Sequence, residues 1–180
     1  MPNTIAVSIP SQSLGTPKSK RILGIDPGLG RVGFGLLTSD ATGYHLTAQR
    51  WGVITTTPKT PEASRLQEIE RDLDALLNRL QPDHVAVEKL YFVKNTTALM
   101  GVTQARGVIL LVLGRLGLPI YEYTPMQVKQ ALTGYGKAAK GEVQQSISQL
   151  LQLEKLPQPD DAADALAIAV CHIRQQGHLG

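Results

Sequence analysis

One cysteine, Cys171, stands in 180 residues, so no internal disulfide can form and a reducing compartment, the cytoplasm, is expected. Aromatic residues are scarce at 4%. No apolar stretch approaches the ~20 residues that a bilayer crossing requires, which argues against a membrane protein. The first twenty residues lack a continuous apolar centre followed by a small-residue cleavage site and do not read as a secretory signal. The four histidines, His45, His84, His172 and His178, are scattered, and no Cys–His spacing suits zinc. A strong excess of charge is also missing. The net charge is +3, and removing Lys18 and Lys20, which sit in an amino-terminal segment without acids, leaves +1 for residues 21–180. A nucleic-acid partner therefore has to be argued from where the charges lie.

With 42% hydrophobic and 18% charged residues, a chain of this length can bury roughly 70% of its unfolded surface. Residues 1–20 carry three prolines and no hydrophobic period and are expected to form a flexible extension to a single domain, 21–180. Ile22 to Ile25 reads as a strand ended by the turn Asp26-Pro27-Gly28. Val32 to Thr38 and Tyr44 to Thr56 complete a three-stranded meander. From Pro61 the period becomes helical, with Leu66, Ile69, Leu73, Leu76, Leu77 and Leu80 on one face. Val85-Ala86-Val87, ending in Glu88, reads as a buried, parallel strand. Thr96 to Leu116 is a helix apolar on nearly every side, which needs two covered faces and suits a dimer interface. Pro119 to Tyr123 is a strand and Pro125 to Thr133 a short helix. The loop Gly134-Tyr135-Gly136-Lys137 follows, then helices over Glu142 to Leu151 and Asp161 to Ile173. Strands first and strand–helix alternation afterwards predict an α/β domain, a mixed sheet flanked by helices.

Gly28, Gly30 and Gly33 match a dinucleotide-binding glycine pattern, but a strand follows them where that site needs a helix, and positions 52–58 contain no acid. The acids say more. Asp26 and Glu88 end two strands, and if these lie parallel and adjacent, both carboxylates emerge at one sheet edge, where such folds place ligand sites. Asp161 and Asp164 share a face in the first turn of the last helix, with Asp160 beside them as an alternative or an N-cap. Asp164 interrupts an otherwise apolar stretch. Converging carboxylates repel and resist desolvation, so a cation should sit among them. Hard oxygen donors favour Mg²⁺ or Mn²⁺ over zinc, and two such ions can drive in-line phosphodiester hydrolysis. His172 lies too far along the helix to join the site and is taken as structural. Lys137 and Lys140, on the glycine-bracketed loop, could follow a phosphate backbone. Arg106 and Lys94 are weaker candidates, and Tyr91 could stack on an unpaired base.

Five segments together resemble the RuvC family of bacterial Holliday-junction resolvases: Ile22 to Gly28, Val87-Glu88 with Tyr91 to Asn95, Gln104 to Gly107, Gln127 to Gln130 and Asp161 to Ala169. The resemblance runs in order from about residue 21 to 174. It implies a ribonuclease H-like fold with a mixed five-stranded sheet, a homodimer, and a Mg²⁺-dependent endonuclease, with two ions per site, that cuts four-way junctions by paired nicks. It maps four catalytic, metal-binding acids onto Asp26, Glu88, Asp161 and Asp164, favouring Asp161 over Asp160. Its aromatic maps onto Tyr91, its basic DNA contacts onto Lys129 and Lys140. It further implies a branch-migration partner, the RuvA–RuvB complex. The segment before Arg21 departs from the pattern.

If the extension adds nothing to the core, deleting residues 2–19 leaves the melting temperature unchanged and removes only a small, salt-sensitive part of DNA affinity. A large fall in melting temperature would show that the segment packs on the domain.

Overall fold

The computed structural model describes residues 19–40, 45–90 and 96–176. Three strands open the chain, β1 (Lys20–Asp26), β2 (Arg31–Ser39) and β3 (Leu46–Thr55), followed by helix α1 (Glu62–Leu80) and strand β4 (His84–Glu88). Then come α2 (Thr96–Arg115), β5 (Ile120–Tyr123), α3 (Pro125–Thr133), α4 (Lys140–Leu150) and α5 (Asp160–Gln176). The strands form one sheet in the order β3-β2-β1-β4-β5. β1 pairs antiparallel with β2 and parallel with β4, and β4 pairs parallel with β5. This is the expected mixed five-stranded sheet, and Ile25 stands opposite Val87, so Asp26 and Glu88 leave adjacent strands together.

The two-residue alternation of the strands divides the core. Leu23, Ile25, Val85 and Val87 point to the face covered by α1 and α2. Ile22 and Ala86 point to the other face, under α5, with α3 and α4 packed outside it. Asp26 and Glu88 share the parity of Ile22 and Ala86 and therefore emerge on the α5 face.

α5 is buried from Ala162 to Ile173 except at Asp164, and five of those residues are alanine. Small residues on the helix meet glycines on the strands. A methyl group added at Gly24 would stand 1.9 Å from the Ala165 carbonyl oxygen, and one at Gly33 would stand 2.1 Å from that of Asp161. The glycines at these two positions let the helix backbone rest directly on β1 and β2.

Several boundaries differ from the sequence reading. α4 starts at Lys140, two residues before Glu142, because the Glu142 carboxylate reaches back to the Ala139 amide at 2.6 Å and closes the first turn. Lys140 is thus a helical residue, not part of the basic loop. α5 starts at Asp160, so that acid belongs to the helix with Asp161 and Asp164. Gly134 ends α3 with φ 77°. Residues 1–18, Tyr44, Tyr91, Lys94 and His178 lie outside the described residues. Buried His172 sits 2.8 Å from the Tyr123 hydroxyl and 2.9 Å from His84 Nδ1, and joins α5 to β5 and β4. Burial first, then His84 and Lys20, push its pKa down to about 4, so it serves there as a neutral, structural ring.

The close seat of α5 generates a test. Gly24→Ala should lower the melting temperature by ten degrees or more, since backbone rather than a flexible side chain blocks the new methyl group. Gly141→Ala in the first turn of α4, where a methyl group meets nothing within 4 Å, should leave it unchanged or slightly raised. Equal effects in thermal unfolding would refute the close-packing account.

Candidate active site

At the carboxyl ends of β1 and β4 a cleft of about 240 Å³ opens between the sheet edge and α3, α4 and α5. Asp26, Glu88 and Asp164 line it, with Lys129, Lys140, Pro125, Val128, Val143 and Ala167. Each acid is placed by a different local rule. Asp26 is the last residue of β1, before Pro27 and Gly28 turn the chain. Glu88 ends β4, and its strand is held by pairing with β5 up to Tyr123. Asp164 lies one turn into α5, on the side that looks out over the sheet edge.

Asp161 is the fourth acid, and it points slightly away. It does not line the cleft, and its carboxylate stands 3.2 Å from Arg31 Nε at the start of β2. Asp160 is turned outward to α4, 3.0 Å from Lys140 Nζ and 3.4 Å from Gln144 Nε2. Lys140 also approaches Asp164 at 3.4 Å. The structure thus gathers Asp26, Glu88 and Asp164, keeps Asp161 at the margin, and puts Asp160 outside.

The electrostatics show the strain of this gathering. Burial raises Asp26 to about 8, with further increments from Glu88, Asp164 and Asp161, while Lys140 opposes them. Burial and then Asp164 raise Glu88 to about 7, against Lys129. Asp164 is raised by burial and pulled back by Lys140. Two carboxyl groups therefore hold protons near neutrality unless a cation joins them. Among the described residues, no three His, Cys, Asp or Glu side chains are close enough to hold one ion in this arrangement. Two of the acids are instead engaged by Arg31 and Lys140. The donor set is all carboxylate oxygen, burial and mutual repulsion at Asp26 and Glu88 outweigh the relief from Lys140 and Lys129, and both features fit a hard divalent cation.

The basic residues divide. Lys129 lines the cleft from α3, and Lys140 from the start of α4. Lys137 is exposed in the turn between these helices. Arg106 is not available at the surface, because it is half-buried and ion-paired with Glu122 of β5. The pairing of Arg31 with Asp161 escaped the sequence reading. The signal was the meander itself, since Asp26 pairs with Gly33 across the β1–β2 hairpin and so brings residue 31 to the same edge.

The sequence pattern of the family described as crossover junction endodeoxyribonuclease RuvC matches residues 22–172. A protein of that description from Petrotoga mobilis is 52% identical over 151 residues, covering 84% of this chain and 91% of its own. The fold is similar to that of Thermus thermophilus RuvC solved in complex with a Holliday junction, with a TM-score of 0.81 and 36% identity over 88% of this chain and 96% of that one. The yeast mitochondrial Holliday junction resolvase shares the fold at a TM-score of 0.66 and 16% identity, over 89% of this chain and 80% of that one.

The raised acids set a pH dependence. A carboxyl whose folded pKa lies above its unfolded value favours folding least once the pH has risen through the folded pKa. In a metal chelator, stability should therefore fall between pH 5 and pH 8.5. Asp26→Asn, which removes the charge, should raise the melting temperature by several degrees at pH 8.5, and by less as the pH nears 5. Thermal unfolding at both pH values checks this, and a gain independent of pH would contradict the assignment.

Proposed function

The chain belongs to the RuvC family of crossover junction endodeoxyribonucleases, and on that premise we propose that the cleft over Asp26, Glu88, Asp161 and Asp164 is where it cuts four-way DNA junctions. It is an endonuclease that resolves Holliday junctions by hydrolysing phosphodiester bonds, and its chemistry depends on a divalent metal. The observation that carries the assignment is the convergence of Asp26, Glu88 and Asp164, from three separate elements, on one cleft with Lys129 and Lys140 at its wall.

The four carboxylates would hold two ions, Mg²⁺ by preference, with Mn²⁺ able to replace it. Such ions activate a water for in-line attack and stabilise the leaving oxygen. Asp26 occupies the centre of the carboxylate group, which accounts for its having the most acidic neighbours among these residues. Asp161 must leave Arg31 to join the others, a short adjustment for a carboxylate at the margin. Lys129 and Lys140 offset phosphate charge on the α3–α4 wall, and Lys137 extends that wall outward. Tyr91, which follows Glu88 by three residues, keeps the stacking role that the family resemblance implies.

Two centres are required to cut two strands, and α2 supplies a surface for pairing. Met100 and Leu111 are 64% and 65% exposed, and exposed Thr103, Gly107 and Gly114 continue the same stripe. A symmetric homodimer would bury this stripe against its own copy. The family resemblance extends the proposal to the cytoplasm and to the RuvA–RuvB branch-migration complex. No described helix is long and apolar enough to cross a membrane.

Asp26→Asn should abolish nicking of a synthetic four-way junction while leaving its binding unchanged or tighter, because a negative charge facing phosphate is lost. Asp160→Asn should cut at close to the normal rate, since that carboxylate faces α4. A gel with and without Mg²⁺ reads both results. Normal nicking by Asp26→Asn would sink the site assignment, and loss of nicking by Asp160→Asn would move the third ligand by one residue.

A further inference from the structure

We infer that Arg65 is a phosphate-binding residue on the side of the cleft opposite Lys129 and Lys140, gripping the junction on the far flank of the cutting centre. The inference rests on the nuclease reading of the cleft and adds a second bank to it. β3 runs parallel to β1, being antiparallel to β2, so its end and the start of α1 reach the same sheet edge as Asp26. Arg65 stands in the first turn of α1 at that edge.

Its guanidinium is built in place. Arg65 Nε donates to Thr56 Oγ1 at 2.9 Å, and the Thr56 hydroxyl donates in turn to the Leu29 carbonyl at 2.8 Å. Thr56 is 2% exposed, and its amide donates to the Gly30 carbonyl. This chain of bonds ties Arg65 to the β1–β2 turn, three residues from Asp26. Its Nη2 lies beside Gly30, 3.4 Å from where a methyl group on that residue would stand, and among the described residues neither Nη group has a hydrogen-bond partner. No carboxylate pairs with Arg65 among the described residues. Of the two acids one turn away on α1, Glu68 accepts the Thr57 amide at 2.7 Å, and Glu62 makes no ion pair with Arg65 among the described residues. A half-buried arginine fixed at Nε, open at both Nη groups and unneutralised is suited to bidentate contact with a phosphate.

The spacing suits DNA. Four inter-strand steps separate β3 from β5, ~19 Å at the usual strand spacing, and Asp26 lies on the middle strand. The end of β3 is then ~10 Å from Asp26, or about three base pairs of rise, while the lysines line the cleft with Asp26 itself. The banks also lie on opposite faces of the sheet, Arg65 with α1 and the lysines with α3 and α4. Arg31 stands at the start of β2, between Arg65 and Asp26, and would join the Arg65 bank once Asp161 turns to an ion. With cations on the lysine side alone, a backbone centred on Asp26 would be held from one flank only.

The test measures binding of the full-length protein to a four-way junction in EDTA, where nothing is cut, across a series of salt concentrations. Arg65→Gln should weaken binding about tenfold at moderate salt and reduce the salt slope by about one. Arg65→Lys should keep the slope, and Arg79→Gln, on the same helix at the opposite sheet edge, should match wild type. Neutral methylphosphonates two to four nucleotides from the cut, on one side only, should weaken wild type and leave Arg65→Gln unaffected. Should Arg65→Gln fall with a lowered melting temperature, a stable Arg65→Lys with a reduced slope overturns the inference, and one with the wild-type slope supports it. Wild-type behaviour of Arg65→Gln beside weakened Lys129→Gln overturns the inference and spares the nuclease reading. Wild-type binding by both variants overturns the cleft assignment as well.

Discussion

Everything at the acid-lined edge of the sheet depends on how near the last helix comes to it. Gly24 and Gly33 leave no Cβ under α5, and the alanines facing them add little bulk, so backbone meets backbone. A layer of larger side chains between helix and sheet would lift Asp161 and Asp164 away from Asp26. The close seat holds Asp164 near enough to raise both Asp26 and Glu88. The same packing explains why so much of α5 is buried, and why the one break in burial between Ala162 and Ile173 is an acid aimed at the cleft.

Burying acids together costs stability, and the molecule offsets part of that cost with its own cations. Lys140 spans Asp160 and Asp164, Arg31 holds Asp161, and Lys129 approaches Glu88. Asp26 is left with the most acidic neighbours and with only distant relief from Lys140. Such a centre is preorganised to receive positive charge, because a bound cation would attract Asp26 and the three acids that repel it, outweighing their mutual repulsion. The far end of α5 carries the opposite arrangement. There His172, neutral and bonded between Tyr123 and His84, closes the helix onto β4 and β5 without placing a charge in the core. One helix thus carries the acids of the candidate site at its start and packing at its end.

Much of this was legible in the residues. The periods identified all ten elements, and the parallel pairing of two short apolar strands followed from their burial, which put Asp26 beside Glu88. Asp164 stood out because an acid within an alanine-rich apolar helix needs a reason. What was not legible depends on side chains meeting across elements. Lys140 was placed on a loop, since a capping interaction without a Ser, Thr, Asp or Asn at its start leaves a weak signal at Ala139. Arg106 looked free until β5 brought Glu122 to it. Arg31 and Arg65 carry no motif, and their places follow only from the hairpin register and from a threonine hydroxyl turned back toward Leu29.

The topology also bears on how one centre becomes two. α2 and α1 cover one face of the sheet, while α5, α3 and α4 cover the other and build the cleft. A copy docked on the exposed stripe of α2 would therefore leave each cleft open and its lysine wall uncovered. A closed two-fold pair repeats every feature of one protomer in the other, so in the proposed dimer each acid group would face one of two strands related by the same axis. A four-way junction offers two such strands at its crossover. On the proposed pairing, the apolar helix that exceeds the needs of one protomer would have a purpose outside it, setting the distance between two sites that neither subunit could span alone.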